Sequence, residues 1–472
     1  MEVLVLFIPL FHLLGLFSAF RAVMETRTSQ GAIAWVIFLI AMPYVALPAY
    51  WIFGRSKFVG YRKVKRTVDA GVRERLEELL EKMEAQRVVR EGRNYAGAVA
   101  ERLADLPYTG HNSVELLIDG EATFDSILKG IAAAQKYVLF QFFIVHDDEI
   151  GRRVQRALME KAEEGVAVYF LYDEIGSHSL SASYLNALRG SGVRVSAFNT
   201  RRGWKNKFQV NFRNHRKVVV VDGRSAWIGG HNVGDEYLGK SEKFGHWRDT
   251  HMRMEGPAVL GAQLSFMEDW YWATRRAIDG LNWEPYTGSG KATVLVIPSG
   301  PADEMETAQL MFLHAINSAK ERLWIASPYF VPDDSVVYAL QLAGMRGVDV
   351  RILIPDRPDH LTVWLAAFSY FEEAGKTGVR FYRYKKGFLH EKVMLIDDEA
   401  ATVGTANFDN RSFRLNFEIT AVVEDPAFIE DVERMFYRDF TDSKLEAPDI
   451  LNQKPFGFRV ASKLARLSAP IQ

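Results

Sequence analysis

The sequence His215-Arg216-Lys217-Val218-Val219-Val220-Val221-Asp222 decides how this chain is organised, because its pattern returns as His390-Glu391-Lys392-Val393-Met394-Leu395-Ile396-Asp397. Both stretches follow the order His-x-Lys-x-x-x-x-Asp. Each is followed at the same offset by Gly-x-x-Asn, first as Gly229-Gly230-His231-Asn232 and then as Gly404-Thr405-Ala406-Asn407. Agreement in motif, spacing and follow-up indicates an internal duplication.

The residue types in each motif suit chemistry at a phosphate diester. The apolar run in each copy predicts a short buried strand, on which side chains two residues apart share a face. Each half would present one imidazole, His215 or His390, beside one ammonium, Lys217 or Lys392, with an asparagine amide nearby. One histidine can attack phosphorus while the other protonates the leaving alcohol, and the cations and amides can hold the non-bridging oxygens.

Two alternatives compete with this interpretation. A histidine in either motif alone is as compatible with a structural role as with a catalytic one. A zinc site needs three or four converging ligands, and the lysine beside each histidine would oppose a cation. The duplicated set therefore favours catalysis without a metal, and we expect no metal and no other cofactor.

Three further passages carry a family resemblance. They are Gly245-His246-Trp247-Arg248-Asp249-Thr250-His251, Pro328-Tyr329-Phe330-Val331-Pro332-Asp333, and Val403-Gly404-Thr405-Ala406-Asn407-Phe408-Asp409-Asn410-Arg411-Ser412-Phe413 running on to Asn416-Phe417-Glu418. With the paired motifs, the chain resembles the phospholipase D superfamily and, within it, the bacterial cardiolipin synthases, over nearly its whole length. The Gly229-Gly230 pair, where the superfamily often has Gly-Ser, is typical of those synthases.

The resemblance implies roles for individual residues. His215 would be the nucleophile and His390 the acid, although the near-symmetry of the motifs does not decide between them. Asp249 and Glu418 lie where the family places the acid that orients each histidine, with a surface ion pair as the alternative for each. The predicted phosphate-binding set is Lys217, Asn232, Lys392 and Asn407. The motif aspartates Asp222 and Asp397 belong to the catalytic signature, but we expect them to be chiefly structural.

Composition narrows the class of protein. The 472 residues exceed what one core usually serves, so two or more domains are expected. Acidic and basic residues nearly cancel, with a formal net charge of −1, which gives no support to a general nucleic-acid binder. The chain has no cysteine, which excludes disulfides and thiol catalysis.

The repeat extends beyond the motifs and predicts an α/β fold with two lobes. Val114–Ile118 corresponds to Thr293–Ile297, and Gly165–Leu171 corresponds to Gly347–Leu353. The order strand, helix, strand, helix, strand in each half predicts two pseudo-symmetric α/β sandwich lobes that face each other across a pseudo-two-fold axis. The predicted division of the chain is 1–54 transmembrane helices, 55–106 basic and helical linker, 107–290 first phospholipase D-like lobe, 291–445 second lobe, and 446–472 C-terminal tail.

The N-terminal region predicts a membrane anchor. Val3 to Phe20 and Ala32 to Phe53 are apolar runs, each about long enough to span a bilayer as a helix, joined by a short polar link. They predict a transmembrane helical hairpin rather than a cleaved signal. Pro43 and Pro48 would kink the second helix, and a re-entrant segment is the lesser alternative.

A basic cluster follows directly and predicts the orientation of the anchor. It consists of Arg55, Lys57, Arg62, Lys63, Lys65 and Arg66. The positive-inside rule places this flank, and the catalytic region after it, in the cytoplasm of a bacterial cell, at the inner membrane. With two spans, the N-terminus would be cytoplasmic as well. The cluster could also rest on anionic head groups, and both interpretations stay open.

Three other segments leave two interpretations open. Thr200 to His215 is basic and aromatic, and would either touch lipid or form a solvated loop. Leu361 to Phe368 would be a core helix or would line an acyl-chain groove. Phe456 to Ile471 predicts a basic amphipathic helix that lies on the membrane or packs against the enzyme body.

The expected reaction is phosphatidyl transfer between two molecules of phosphatidylglycerol, which gives cardiolipin and glycerol through a phosphatidyl-histidine intermediate. One diester replaces another, so no nucleotide is needed. The alternatives are a membrane-bound hydrolase of the phospholipase D type and a transphosphatidylase with another acceptor. The second lipid substrate, the acyl-chain preference and the oligomeric state do not follow from the sequence.

Overall fold

The computed structural model describes residues 2–26, 28–54, 58, 61, 76–90, 97–198 and 211–471. The helices are α1 Glu2–Glu25, α2 Ser29–Ala41, α3 Pro43–Phe53, α4 over residues 76–85, α5 Gly97–Ala104, α6 Asp119–Ala133, α7 Glu149–Glu163, α8 Ala182–Gly190, α9 Val259–Thr274, α10 Thr307–Ser318, α11 Asp334–Met345, α12 Leu361–Gly375, α13 Asn410–Arg414, α14 Pro426–Thr441 and α15 Phe456–Arg466.

The strands of the first half are β1 Thr109–Ile118, β2 Tyr137–Phe142, β3 Ala167–Asp173, β4 Arg194–Phe198, β5 Arg213–Asn214, β6 Val218–Val221, β7 Ser225–Gly229, β8 His246–Arg248 and β9 Thr250–Glu255. Those of the second half are β10 Ala292–Ser299, β11 Arg322–Ala326, β12 Phe330–Val331, β13 Asp349–Pro355, β14 Arg380–Tyr384, β15 Gly387–Leu389, β16 Val393–Ile396, β17 Ala400–Gly404, β18 Phe408–Asp409, β19 Asn416–Glu424 and β20 Ser443–Leu445.

The strands of both halves join into one continuous sheet with mirrored order. The order is β20-β14-β13-β11-β16-β17-β19-β10-β1-β9-β7-β6-β2-β3-β4. The two halves meet where β1 pairs antiparallel with β10. Since the strand order reads outward from this junction in the same way on both sides, the predicted pair of pseudo-symmetric α/β lobes is confirmed.

Helices cover both faces of the sheet, as expected for strands that are buried on both sides. In the first lobe, α6, α7 and α8 bury side chains such as Ile127, Val154 and Leu188 against one face. In the second lobe, α10, α11 and α12 cover the equivalent face. The opposite face of both lobes is covered by α9 and α14, which share a third core. This shared core holds the lobes in one fixed arrangement around their junction.

The first apolar run forms one long helix. α1 contains 24 residues, which gives a length of about 36 Å at 1.5 Å per residue. Its segment Ile8–Glu25 is long and apolar enough to cross a membrane. The hydrocarbon core of a bilayer is about 30 Å thick, so α1 fits that distance.

The second apolar run differs from the predicted continuous span, because it folds back on itself at Met42. α2 and α3 contain 13 and 11 residues, and Pro43 begins α3. The Trp35 and Tyr50 ring centroids lie 5.2 Å apart, whereas about 22 Å would separate them along a straight helix. Proline has no amide hydrogen to continue the preceding helix, which explains the break. The second run therefore consists of two short helices rather than one continuous helix.

The α2–α3 pair packs tightly on α1. A Cβ on Gly15 would lie 2.6 Å from the Leu39 carbonyl oxygen and 3.2 Å from the Pro43 Cβ, so only glycine allows this approach. Ala19, Ala22, Ala46 and Leu47 are buried in the same small cluster. The three helices therefore form one packed unit.

Several sequence-based predictions fall outside the described residues. The basic cluster Arg55, Lys57, Arg62, Lys63, Lys65 and Arg66 lies there, as does most of the basic-aromatic stretch after Thr200. Within the same region, Phe58 and Tyr61 are described, and both are buried in the core shared by the two lobes. The Phe58 amide donates to the Pro301 carbonyl oxygen at 3.1 Å. The chain thus enters the enzyme body directly after the membrane helices.

Candidate active site

Two short pairs of parallel strands, each formed by one strand from each lobe, place the two histidines against the opposite lobe. β5, which precedes His215, pairs with β19 of the second lobe, and the His215 amide donates to the Phe417 carbonyl oxygen at 2.9 Å. β15, which precedes His390, pairs with β8 of the first lobe, and the His390 amide donates to the Arg248 carbonyl oxygen at 2.8 Å. Each histidine is therefore aligned with a strand of the opposite lobe.

Because of this crossing, each histidine contacts the carboxylate of the other lobe. His215 Nδ1 lies 2.9 Å from Glu418 Oε2, and His390 Nδ1 lies 2.7 Å from Asp249 Oδ2. Both carboxylates are completely buried. The surface ion pair considered for these acids is therefore not what the structure contains. An Nδ1–H···carboxylate bond leaves Nε2 of each ring as the free, reactive nitrogen.

Glu418 is held by a full set of donors. Its Oε2 also accepts from Thr405 Oγ1 at 2.6 Å. Its Oε1 accepts from Ser412 Oγ at 2.9 Å and from Asn416 Nδ2 at 3.1 Å. Such a set fixes the carboxylate and stabilises its charge, and the pKa of Glu418 is lowered despite burial, by His215, Lys217 and Thr405.

The first half has a glycine where the second has Thr405, and the structure explains the difference. A Cβ on Gly230 would lie 2.0 Å from Asp249 Oδ1. The space beside Gly230 is thus occupied by the carboxylate that contacts His390. Asp249 is held instead by the Thr250 amide, which donates to Oδ1 at 2.8 Å. Since only glycine leaves that space, the Gly-Gly form is a steric requirement of the first half.

The motif lysines lie beside the histidines and are buried. Lys217 Nζ donates to the His215 carbonyl oxygen at 2.7 Å. Lys392 Nζ lies 2.9 Å from His390 Nδ1, and because that nitrogen donates to Asp249, the ammonium donates to the His390 carbonyl oxygen. Both histidines and both lysines lie just before β6 and β16 rather than on those strands as predicted.

Burial and the clustered charges shift the pKa values of all four groups. Burial lowers the pKa of His215 to about 4, with the nearby Glu418 partly opposing the shift. The pKa of His390 lies well below its ordinary value because of burial and because of Lys392, Lys217 and His215. Burial lowers the pKa of Lys217 to about 7 and that of Lys392 to about 8. Lys392 contributes to the lowered pKa of His215, and Lys217 to that of His390, so each motif lies within electrostatic reach of the other.

The two predicted phosphate-binding asparagines differ in whether their side-chain polar atoms already have hydrogen-bond partners. Asn232 Oδ1 accepts from the Ile144 amide at 3.1 Å, and its Nδ2 donates to Tyr237 Oη at 3.0 Å. Asn407 is also buried, but its Oδ1 has no hydrogen-bond partner within the described part of the chain. An unpaired amide oxygen can accept a hydrogen bond from a substrate hydroxyl, whereas a phosphate oxygen needs a donor such as the Asn407 Nδ2 group.

The motif aspartates Asp222 and Asp397 hold backbone rather than the histidines. Asp222 accepts from the amides of Gln135, Lys136 and Tyr137. Asp397 accepts from the amides of Lys320, Glu321 and Arg322. In each lobe the carboxylate thus anchors the turn between a helix and the strand beside the motif strand. These contacts are of the structural kind expected for the two motif aspartates.

Two buried ion-pair networks, which the sequence did not reveal, include the residue between histidine and lysine in each motif. Arg216 Nη1 donates to Asp269 Oδ2 at 2.9 Å, and the same carboxylate accepts from Tyr61 Oη at 3.1 Å. Arg248 donates to both oxygens of Asp439, at 2.8 and 2.9 Å. It also lies 2.6 Å from Glu391, the residue between the second histidine and lysine. The residue between the histidine and the lysine of each motif, Arg216 or Glu391, therefore takes part in a buried ion pair.

Within the described ranges, no group of three or more His, Cys, Asp or Glu side chains converges in a way that could hold a metal ion. The charges that can meet a phosphate are the two ammonium groups. Together with two reactive imidazole nitrogens, they form a site that can bind an anion and move a proton.

The fold and site define a protein of the phospholipase D-like class. Its structure is similar to that of phosphatidylserine synthase from Haemophilus influenzae, with a TM-score of 0.61 at 17% identity, covering 79% of this chain and 99% of the other. The family model described as "Cardiolipin synthase, PLD-like domain" matches residues 127–243 and 312–440, and the model described as "Phospholipase_D-nuclease N-terminal" matches residues 13–55.

Full-length relatives identify the family. Cardiolipin synthase A of Pseudomonas fluorescens is 49% identical over 467 residues, covering 98% of this chain and 97% of the relative. Cardiolipin synthase A of Pseudomonas entomophila is 48% identical with the same coverage. The chain belongs to the bacterial cardiolipin synthase family, and is thus a phosphatidyltransferase of the phospholipase D superfamily and a bacterial membrane protein.

Proposed function

We propose that the enzyme transfers a phosphatidyl group from one phosphatidylglycerol molecule to another, giving cardiolipin and glycerol. The observation that carries this proposal is the crossed arrangement of His215 with Glu418 and His390 with Asp249 around two buried lysines. It supplies two imidazoles with defined tautomers and a positive charge for one phosphodiester.

In the first step, His215 Nε2 attacks the phosphorus of the donor lipid. The His215 pKa of about 4 keeps this ring neutral near pH 7, which is the nucleophilic form. As the P–N bond forms, the ring becomes positively charged, and the Glu418 carboxylate stabilises that charge through Nδ1–H. The ammonium groups of Lys217 and Lys392 and the Nδ2 group of Asn407 donate to the non-bridging oxygens in this scheme.

His390 protonates the glycerol oxygen as the P–O bond breaks. In the free enzyme the pKa of His390 is lowered by burial and by the two lysines, so its Nε2 carries no proton near pH 7. A bound phosphodiester brings a negative charge between those lysines, which raises the pKa of the ring again. Binding of the substrate therefore favours the protonated form of His390, which is the form that the cleavage step needs.

The second step reverses the proton transfer. The neutral His390 takes a proton from a hydroxyl of the second phosphatidylglycerol, whose oxygen attacks phosphorus and releases His215. Water competes for the same intermediate. A positioned hydroxyl can win because intramolecular alignment reaches effective molarities on the order of 10⁵ M. The near-complete burial of both motifs also limits the access of water.

Product analysis tests the reaction. The full chain in vesicles that contain only phosphatidylglycerol should give cardiolipin and glycerol in equal amounts. Phosphatidic acid as the sole product would refute lipid-to-lipid transfer and support the hydrolase. Adding phosphatidylethanolamine to the same vesicles tests whether another lipid takes part.

Substitution of each histidine tests the two-step scheme. His215→Ala and His390→Ala should each abolish cardiolipin formation while the protein keeps its thermal unfolding temperature. A donor with an acidic leaving group such as p-nitrophenol needs no proton from the acid. It should release p-nitrophenol with His390→Ala but not with His215→Ala. The opposite pattern would exchange the two roles.

The proposed membrane placement has the lobes on the cytoplasmic side of the inner membrane. α1 crosses once, and the α2–α3 pair enters and leaves on the side of the lobes, because Trp35 and Tyr50 are in contact. The predicted two full crossings would place the N-terminus in the cytoplasm, whereas this arrangement places it on the opposite side. A single cysteine at Glu2→Cys in the cysteine-free chain should react with an impermeant maleimide added outside intact cells. Protection until the cells are lysed would restore the two-crossing topology.

A further inference from the structure

α15 packs against the enzyme body with one face. The Phe458 ring lies 5.2 Å from that of Phe368 on α12, centroid to centroid. Ser462 is completely buried, and its hydroxyl donates to the Leu365 carbonyl oxygen at 2.8 Å. Arg466 Nη1 pairs with Glu373 at 2.9 Å. The sequence left open whether this helix packs on the body, and the structure shows that it does.

The opposite face of α15 carries large apolar side chains that are exposed in the described part of the chain. Phe456, Val460, Leu464 and Leu467 follow helical spacing on one stripe, and three of them are 78%, 61% and 76% exposed in the order Phe456, Leu464 and Leu467. α15 packs on the enzyme body through its other face, so within the described residues this stripe faces away from the body. A contiguous exposed apolar stripe on a packed helix marks a contact surface.

Charge around the stripe identifies the occupant. Besides Arg466, which pairs with Glu373 and Asp334, residues 454–472 include Lys454, Arg459 and Lys463 and contain no aspartate or glutamate. A helix with an apolar stripe and flanking cations suits the interface of an anionic bilayer, where the apolar groups reach the acyl boundary and the cations meet phosphates.

The location of α15 connects it to the membrane helices. Arg466 Nη2 lies 3.8 Å from Asp334 at the beginning of α11. The neighbouring residues Asp333 and Ser335 line a surface cavity of about 570 Å³ together with Glu25 and Thr28. Glu25 ends α1, and Thr28 caps α2. The end of α15 is thus adjacent to the point at which the membrane helices meet the second lobe.

α11 extends the same surface. From the end that borders this cavity, it presents Tyr338, Leu342 and Met345 to solvent at helical spacing. α11 and α15, which both pack on α12, therefore each expose an apolar stripe near the membrane anchor.

We infer that the stripes of α15 and α11 form a bilayer-contacting surface, which holds the second lobe against the leaflet of anionic phospholipid. This surface is independent of the α1–α3 anchor and orients the enzyme body rather than merely tethering it. It deepens the proposed function, since it would present the crossed histidines to head groups in the plane of that leaflet.

Site-directed labelling tests the inference on the full chain. A single cysteine at Leu464→Cys carries a bimane fluorophore, and the protein is reconstituted into vesicles of phosphatidylglycerol and phosphatidylcholine, with or without lipid that bears a nitroxide near the head group. The matched control is Glu430→Cys, exposed on α14 on the other face of the sheet. Quenching by the nitroxide lipid is expected at position 464, several-fold stronger than at 430.

Each outcome decides the matter. Equal and weak quenching at both positions would overturn the inference. Burial of the 464 label without lipid quenching, combined with spin–spin broadening between nitroxide-labelled copies, would assign the stripe to a second copy of the chain instead. The measurement is repeated with His215→Ala, in which the lipid contact should persist. Failure of the proposed chemistry would therefore leave the labelling result unchanged.

The functional consequence is measured with Leu464→Glu combined with Leu467→Glu. Two exposed apolar side chains of the proposed bilayer contact are replaced by charges that anionic lipid repels, so the rate on vesicles should fall about tenfold or more. On short-chain monomeric phosphatidylglycerol the variant should match the wild type. A proportional loss on both substrates would indicate damage to the fold and refute the interfacial role.

Discussion

Replacing Glu418 by glutamine tests the crossed arrangement most directly. In the native site both carboxylate oxygens accept hydrogen bonds, from His215 and Thr405 on one side and from Ser412 and Asn416 on the other. Glutamine has the same shape, but one of its two polar atoms donates. Whichever way the amide is oriented, its NH2 group therefore points at one of the two pairs of donors. The donors of that pair lose their acceptor.

The magnitude follows from what is lost. If the amide nitrogen faces His215, the ring is forced into the wrong tautomer, and if it faces away, the ring keeps its bond but loses the negative charge that stabilises the imidazolium. Loss of the equivalent charge in a serine protease triad lowers kcat by about 10⁴, so we expect a fall of roughly 10²–10⁴ for Glu418→Gln. The facing donors should lower the free energy of unfolding by about 1–3 kcal/mol.

The assay compares kcat on phosphatidylglycerol vesicles with thermal unfolding. The matched control is Asp425→Asn, an equally small change at the N-cap of α14, where the side chain accepts from the Phe428 amide at 3.0 Å and asparagine caps as well. The control should keep wild-type activity. Activity of Glu418→Gln within threefold of wild type, in a folded protein, would refute the role assigned to this carboxylate.

Three further predictions concern charge and packing. The pKa values of about 7 for Lys217 and about 8 for Lys392 mean that both ammonium groups lose protons as pH rises; kcat/KM should therefore fall through pH 7–8, which a pH–rate profile will show. Tyr61→Phe removes a hydrogen bond to the buried carboxylate beneath the first motif and should lower the free energy of unfolding by about 1 kcal/mol in a denaturation experiment. Gly230→Ser places an atom where Asp249 lies and should lower kcat by about 10² or more, since small displacements of catalytic groups have such effects; unchanged kinetics would contradict the geometry.

Local pattern was sufficient to predict the lobes. The apolar runs after Lys217 and Lys392 form the buried strands β6 and β16, and the repeated order of elements gives the mirrored sheet. The sequence also singled out Asp249 and Glu418, although only through family resemblance. Such features depend on residues close together in the chain, so they can be predicted from it.

Features that depend on distant pairing were missed. No periodicity shows that Asp249 belongs to His390 and Glu418 to His215, because the pairing results from β8 with β15 and from β5 with β19. The strands involved have two or three residues each and give almost no pattern of their own. The fold-back at Met42 was only the lesser alternative, because composition alone does not distinguish a kinked span from two short helices.

The crossed strands carry a consequence for how such a chain arose. A half-length ancestor with one motif would contain one histidine and one carboxylate. In the arrangement seen here, the two would not contact each other within a single copy. Two copies related by a rotation axis would satisfy both pairs at once, since each copy would lend its acid to its twin. In a single chain that contains both copies, corresponding positions can differ, as Gly230 and Thr405 do.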